Sequence, residues 1–290
     1  MKGIVLAGGS GTRLFPLTLA TSKQLLAVYN KPMVYYPISV LMLAGIRDIL
    51  IISTPSAVPV MRGLLGDGSK LGLNLSYALQ DEPRGIAEAF LIGADHIGGD
   101  SSALILGDNL FHGSGLRELL RSSRRSLDGC TLFGYPVADP ERYGIGEVDS
   151  EGMLVSIEEK PRHPRSNNAI TGLYLYDEQA VDLARGLAPS ARGELEITDL
   201  NREYLRQGRA KLVELDRDYT WYDCGTHDSL LTASQYVQYT EKYLGERVGY
   251  LEEIALRMGF IDAEACYQLG AGMRESNYGR YLTEIAYALD

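Results

Sequence analysis

The chain has 290 residues, 45% of them hydrophobic, enough to bury a large core and too many for a disordered protein. Its formal charge of −10 at pH 7 excludes a general nucleic-acid or membrane-surface binder, so any bound polyanion needs a local cationic site. Three cysteines (Cys130, Cys224, Cys266) without C-x-x-C spacing fit a reducing compartment, and Ile4 to Ala7 is too short for a signal-peptide core, so a cytoplasmic protein is expected.

Gly3 to Ala7 reads as a short buried strand running into Gly8-Gly9-Ser10-Gly11-Thr12-Arg13. Glycines reach positive φ without a Cβ clash, so successive amides there can face one concavity and hold phosphate oxygens. A helical turn from Thr12 would add free N–H groups and a positive dipole end. Arg13 supplies a planar fork and Lys23 a compact charge. The P-loop pattern fails, since Gly11 is followed by Thr12-Arg13, and the dinucleotide fingerprint meets Leu14 at its third glycine.

Helical patterns over Pro32 to Ala44, Val58 to Leu65 and Arg84 to His96 alternate with strands at Asp48 to Ser53, Leu73 to Leu79 and Ala103 to Leu106. The apolar stretch Ile38 to Ala44 is far shorter than the roughly 20 residues of a membrane span. This alternation predicts an α/β fold: a Rossmann-like, mostly parallel sheet flanked by helices, with ligands outside the carboxyl ends of the strands. Asp108 stands at such an end, where Asn109 opens a polar loop, and is a candidate magnesium ligand. Arg121, Arg124 and Arg125 read as a solvated helix face.

From Thr131 the rhythm changes to closely spaced strands, at Thr131 to Val137, Gly146 to Asp149, Leu154 to Glu158 and Ile170 to Tyr176. These add antiparallel or mixed strands and a pocket wall. Lys160 closes one of them and offers a site for a second phosphate, while Glu159 can accept hydrogen bonds from vicinal sugar hydroxyls. Tyr143-Gly144, Thr171-Gly172, Tyr174 and Trp221 provide aromatic faces and close backbone approach.

Helices at Asp177 to Leu187 and Ile197 to Gln207 precede strands at Lys211 to Leu215 and Tyr219 to Asp223. Asp223 repeats the arrangement of strand, carboxylate and glycine turn, so Asp108 and Asp223 together could share one hard cation. The tail is helical: Leu251, Ile254, Ala255 and Met258, then Tyr278, Tyr281, Leu282 and Ile285, recur at helical spacing. His96, His112, His163 and His227 lack metal-ligand spacing. The chemistry implied is a meeting of two phosphorylated substrates. Unit charges about 4 Å apart repel by roughly 4 kcal/mol at an effective dielectric of 20, so cations rather than a protein nucleophile would do the work.

Leu6-Ala-Gly-Gly-Ser-Gly-Thr-Arg13, Ser22-Lys-Gln-Leu-Leu26 and Lys31-Pro-Met33 resemble the sugar-1-phosphate nucleotidyltransferases, nearly end to end. Gly107-Asp-Asn109, Arg142-Tyr-Gly144, Glu158-Glu-Lys-Pro161 and Gly193-Glu-Leu-Glu-Ile-Thr-Asp199 are most similar to the branch that couples dTTP to glucose 1-phosphate ahead of dTDP-L-rhamnose; a related uridylyltransferase is the alternative. The resemblance implies a nucleotidyltransferase domain over 1–240, with a nucleotide half to about 130 and a sugar-binding half from 131, and a helical tail over 241–290.

It further implies nucleotide binding by Gly8, Gly11, Thr12, Arg13, Lys23, Gln24, Gln80 and Gly85, with Arg13, Lys23 and Asp108 catalytic. Asp108, Tyr143, Gly144, Glu159, Lys160, Ile170 and Tyr174 would bind the sugar phosphate, and Asp108 with Asp223 would hold Mg²⁺. A homotetramer with an end-product effector site near Glu253, Ile254 and Arg257 is also implied. Departures are Phe15 for histidine, Ala27 for proline, Ile86 and Glu88 where Leu and Gln are usual, and Arg117 for histidine.

Overall fold

The computed structural model describes residues 1–288. Its frame is a nine-stranded sheet. Strand β1 (Lys2–Leu6) lies between β4 (Asp48–Ser53) and β6 (Ser102–Leu106), with β5 (Asn74–Leu79) beyond β4; all four are parallel. The small ribbon of β2 (Ala27–Val28) and β3 (Lys31–Pro32) follows the glycine loop.

Side chains of these central strands are buried on both faces, as their apolar sequences require. Val5, Ile49, Ile51, Ala103 and Ile105 join one core, under α1 (Tyr35–Leu43) and α2 (Val58–Leu65). Ile4, Leu50, Ile52 and Leu104 join the other, under α3 (Glu88–Ile92) and α4 (Ala94–Ile97). The period of two along each strand makes the division.

Two expectations change here. Arg84 to His96 does not run as one helix: Gly85 takes φ +102°, the loop is tied to Leu195 by backbone hydrogen bonds at Arg84 and Ala87, and only α3 and α4 are helical. Asn109 opens a strand, β7 (Asn109–Gly113), not a loop, because Leu110 and Phe111 are both buried and β7 pairs antiparallel with β13 (Tyr219–Asp223). Helix α5 (Leu116–Arg125) carries the arginines read as a solvated face: Arg121 and Arg125 are exposed, but Arg124 is half-buried and donates to the Ala44 and Gly45 carbonyls at the end of α1.

The second half completes the same sheet: β8 (Cys130–Pro136), β9 (Gly144–Val148), β10 (Leu154–Glu159), β11 (Asn168–Tyr176) and β12 (Ala210–Glu214). Strand β11 joins the halves, running antiparallel to β6 on one side and to β8 and β9 on the other. Helices α6 (Ala180–Arg185) and α7 (Ile197–Arg206) pack on the second core through Ala180, Val181, Ile197 and Leu200.

After α8 (His227–Tyr239), capped by Thr226 and Ser229, come α9 (Leu251–Arg257), α10 (Ala263–Ala271) and α11 (Asn277–Ala288). Leu251 and Ala255 enter the first core, while Leu282 and Ile285 pack with Cys266 and Tyr250 in a separate cluster. The three cysteines are free and buried. No helix among the described residues is long and apolar enough to cross a membrane.

Candidate active site

The carboxyl ends of β1, β5 and β6 open onto a cleft of about 760 Å³, continuous with a recess of about 250 Å³ over the glycine loop. Gly8, Gly9, Arg13, Gln24 and Asp108 line both spaces. Of the residues implied in nucleotide, sugar-phosphate or metal binding, Gly11, Thr12 and Lys23 line the recess, and Gln80, Gly85, Tyr143, Gly144, Glu159, Lys160, Ile170, Tyr174 and Asp223 the cleft; Thr171 is buried behind it, and Glu253, Ile254 and Arg257 lie elsewhere, on α9.

The loop has the form its glycines require, Gly9 at φ +106° and Gly11 at φ +59°, with the Gly11 carbonyl held by Thr18 Oγ1 at 2.8 Å. Its helical turn is only the three-residue 3-10 segment Thr12–Leu14, so free amides, rather than the dipole of a long helix, face the recess. Gln24 braces the loop from below: it is buried, its Nε2 donates to the Gly8 carbonyl at 3.3 Å, and its Oε1 accepts from Ser22 at 2.7 Å.

Lys23 is buried and forms an ion pair with Asp108. Burial alone would raise the Asp108 carboxyl, but the Lys23 ammonium and hydrogen bonds from Lys23 and Asn109 outweigh it and hold the group below the usual carboxylate range. Asp223 behaves oppositely. Its burial and the nearby Asp108 charge push it up to about 6, against the pull of Lys23, Arg13 and Arg142. Two carboxylates in mutual repulsion, with cations at their rim, are hard oxygen donors for a divalent ion that completes its shell with water and phosphate oxygens. No group of three or more His, Cys, Asp or Glu is placed to hold a metal ion among the described residues, so an ion at this pair would take part of its shell from water and substrate.

Asn109, which sequence reading placed only at the start of a loop, braces the strand ends that carry this pair. Asn109 is buried, and its Oδ1 accepts from Trp221 Nε1 at 2.6 Å and from the Gly172 amide at 3.1 Å. A Cβ on Gly172 would stand 2.7 Å from that oxygen, which is the reason a glycine occupies the position. The polar residue after Asp108 was the available signal; what it bonds to was not legible.

At the other end of the cleft Glu159 Oε2 accepts from Thr198 Oγ1 at 2.6 Å and lies 3.2 Å from where a Gly144 Cβ would be. Lys160 takes φ +44° and donates its amide to the Tyr143 carbonyl at 3.0 Å, which turns its half-exposed ammonium toward the cleft rim. Ile170 and Tyr174 form the buried floor, and Tyr143 meets Trp221 edge-on at 5.5 Å between centroids. Arg142 and Arg192 also line the cleft and were not foreseen; Arg192 is paired with Glu196 at 2.8 Å.

A model of the nucleotidyl transferase family matches residues 2–240. A glucose-1-phosphate thymidylyltransferase of Xanthomonas campestris pv. campestris (strain B100) is 55% identical over 285 residues, covering 98% of this chain and 97% of that protein. The glucose-1-phosphate thymidylyltransferase of Mycobacterium tuberculosis (strain CDC 1551 / Oshkosh) is 53% identical, covering 98% and 99%. Among solved structures, a Bacillus anthracis protein described as a glucose-1-phosphate thymidylyltransferase, in complex with a sucrose, superposes with a TM-score of 0.76 at 40% identity, over 81% of this chain and 94% of that one. A UDP-glucose pyrophosphorylase with UDP-glucose superposes with a TM-score of 0.70 at 25% identity, over 81% and 97%.

Proposed function

We propose, from the premise that this chain belongs to the nucleotidyl transferase family, the reaction its cleft performs. The chain is a glucose-1-phosphate thymidylyltransferase: it transfers a thymidylyl group from dTTP to α-D-glucose 1-phosphate and releases pyrophosphate. The observation that carries this is the junction, at Arg13 and Asp108, of an anion recess with a cleft roomy enough for a nucleoside and a sugar, with Lys23 paired to Asp108 from the recess side.

The phosphate oxygen of glucose 1-phosphate attacks the α-phosphorus of dTTP, and the bond to the β-phosphate oxygen breaks, so pyrophosphate leaves with the electron pair. Loop amides from Gly8 to Thr12 cradle the β- and γ-phosphates. Arg13 and Lys23 offset the charge that builds on the α-phosphoryl oxygens. Gln80 and Gly85 face the base, Glu159 and Tyr174 with the Gly144 backbone orient the glucose, and Lys160 fixes its phosphate. A divalent cation, Mg²⁺ in this reading, would be held by Asp108 and Asp223 and would neutralise both phosphates as they approach.

Pyrophosphate release from dTTP that needs both glucose 1-phosphate and Mg²⁺ is the expected result. Release with glucose 1-phosphate absent, or with UTP at equal efficiency, contradicts the assignment. Exposed Leu231, Tyr239 and Tyr243 on and just beyond α8 support assembly into a homotetramer, which light scattering checks; a monomer at micromolar concentration removes it. The tail residues Glu253, Ile254 and Arg257 on α9 are the place for feedback by dTDP-L-rhamnose, and titration of that nucleotide sugar into the assay checks it.

A further inference from the structure

Glu88, the first residue of α3, is a buried carboxylate, 5% exposed, beside the cleft. Its Oε2 accepts from Gln80 Nε2 at 2.8 Å, and its Oε1 accepts from Arg84 at 2.8 Å through Nε and 2.7 Å through Nη2. Gln80 is equally buried and lines the cleft.

An ionised carboxylate has only acceptor atoms, so the amide of Gln80 has one stable orientation: its NH₂ toward Glu88 and its carbonyl oxygen away. That oxygen lies against Gly8, 2.4 Å from where a Cβ on that residue would be, and among the described residues it accepts no hydrogen bond. Arg84 grips the carboxylate from the solvent side. Backbone hydrogen bonds between Leu195 and both Arg84 (2.8 Å) and Ala87 (3.1 Å) hold the loop that carries it.

We propose that Glu88 is a positioning residue for base selectivity: it fixes the Gln80 amide so that an acceptor faces the base edge. Thymine and uracil carry an N–H at ring position 3 and can donate to it. Cytosine presents a bare ring nitrogen there, and two acceptors would meet in a desolvated site. This rests on the transferase reading, with Gln80 at the base.

The test is the ratio of kcat/KM for dTTP to that for dCTP, with glucose 1-phosphate and Mg²⁺, in wild type, Glu88→Met and Glu88→Gln. A site built to pair with a donor rejects an analogue lacking it by about 10,000-fold, and wild type is expected near that ratio. Glu88→Met, similar in size but without an oxygen acceptor and with only a weakly accepting sulfur, is expected to lower it about tenfold or more, through KM for dTTP with kcat nearly constant. Glu88→Gln keeps a carbonyl acceptor and is expected to recover most of it.

An unchanged ratio in Glu88→Met, even at reduced overall activity, overturns the proposal and leaves Glu88 as a loop anchor. Should that variant fail to fold, the surface change Arg84→Ala frees the carboxylate from one side and is expected to lower the ratio about threefold; no change there is equally fatal. A wild-type protein that turns over neither dTTP nor UTP removes the transferase reading itself, and this inference with it.

Discussion

Asp108 and Asp223, far apart in the chain, are held side by side because β7 and β13 pair in a register that sets Asp223 opposite Asn109. The Cys224 amide donates to the Asp108 carbonyl at 2.9 Å and locks that register just beyond the strands. The two carboxylates therefore repel, and that repulsion adds to the larger effect of burial in pushing the Asp223 pKa up to about 6.

Asp108→Asn and Asp223→Asn are each expected to lower kcat by about 100-fold or more, a loss of roughly 3 kcal/mol of transition-state stabilisation. The Kd for dTTP, read by calorimetry, should move less than about tenfold, since the loop amides and Arg13 remain. EDTA should abolish turnover and added Mg²⁺ restore it. Full activity in both variants removes the pair as the metal site.

Gly8→Ala tests the close approach of the loop to Gln80. The added methyl would sit 2.4 Å from Gln80 Oε1, a side-chain end that can move. Melting temperature is expected to shift little, while KM for dTTP rises about tenfold because the displaced amide no longer meets the base. An unaltered KM contradicts this.

Asn109→Ala removes one oxygen that serves two donors, Trp221 Nε1 and the Gly172 amide. Leaving buried donors unpaired costs about 1–3 kcal/mol each, so urea unfolding should show a loss of at least about 2 kcal/mol. Activity should fall too, because Asn109 Nδ2 also donates to Asp108 Oδ1 at 3.0 Å. A variant as stable as wild type refutes the bracing role.

Lys31 gives a pH test away from the cleft. It is fully buried, paired with Glu241 at 2.7 Å, and stands 4.2 Å from the ring centre of Tyr250, which in turn stacks on Tyr278 of α11. Burial, only partly opposed by Glu241, lowers its pKa to about 8 from 10.5. Between those values the unfolded chain binds the proton more tightly, so the contribution of Lys31 to stability rises with pH and is least below 8. The destabilisation caused by Lys31→Met should therefore be larger at pH 10 than at pH 7.5 in urea unfolding. A smaller gap at pH 10 contradicts the assignment.

Much of the fold was legible because its central strands are short apolar runs between turn signals: the span Asp48–Ser53 coincides with that read from the sequence, as does the aromatic span Tyr219–Asp223 of the ribbon with β7. The helix drawn over Arg84 to His96 was not: Gly85, a poor helix former, sits at positive φ, and the flanking residues are held off the helix by contacts with Leu195, remote in sequence. Strand β7 was hidden for a similar reason. Asn109 is a polar residue buried by partners from β11 and β13, and a polar residue after a strand reads as a loop when those partners are unseen.

The chemistry of the cleft is carried by residue type at local spacing, so sequence alone determined the glycine loop, its two cations and the acidic strand ends. Which groups meet was decided by the fold, because register and packing set distances and electrostatic effects fall steeply with distance. Lys23 against Asp108, Asp108 against Asp223 and Glu88 against Gln80 are all side-chain relationships. Their strength comes from exclusion of water around them, and only the folded chain provides that.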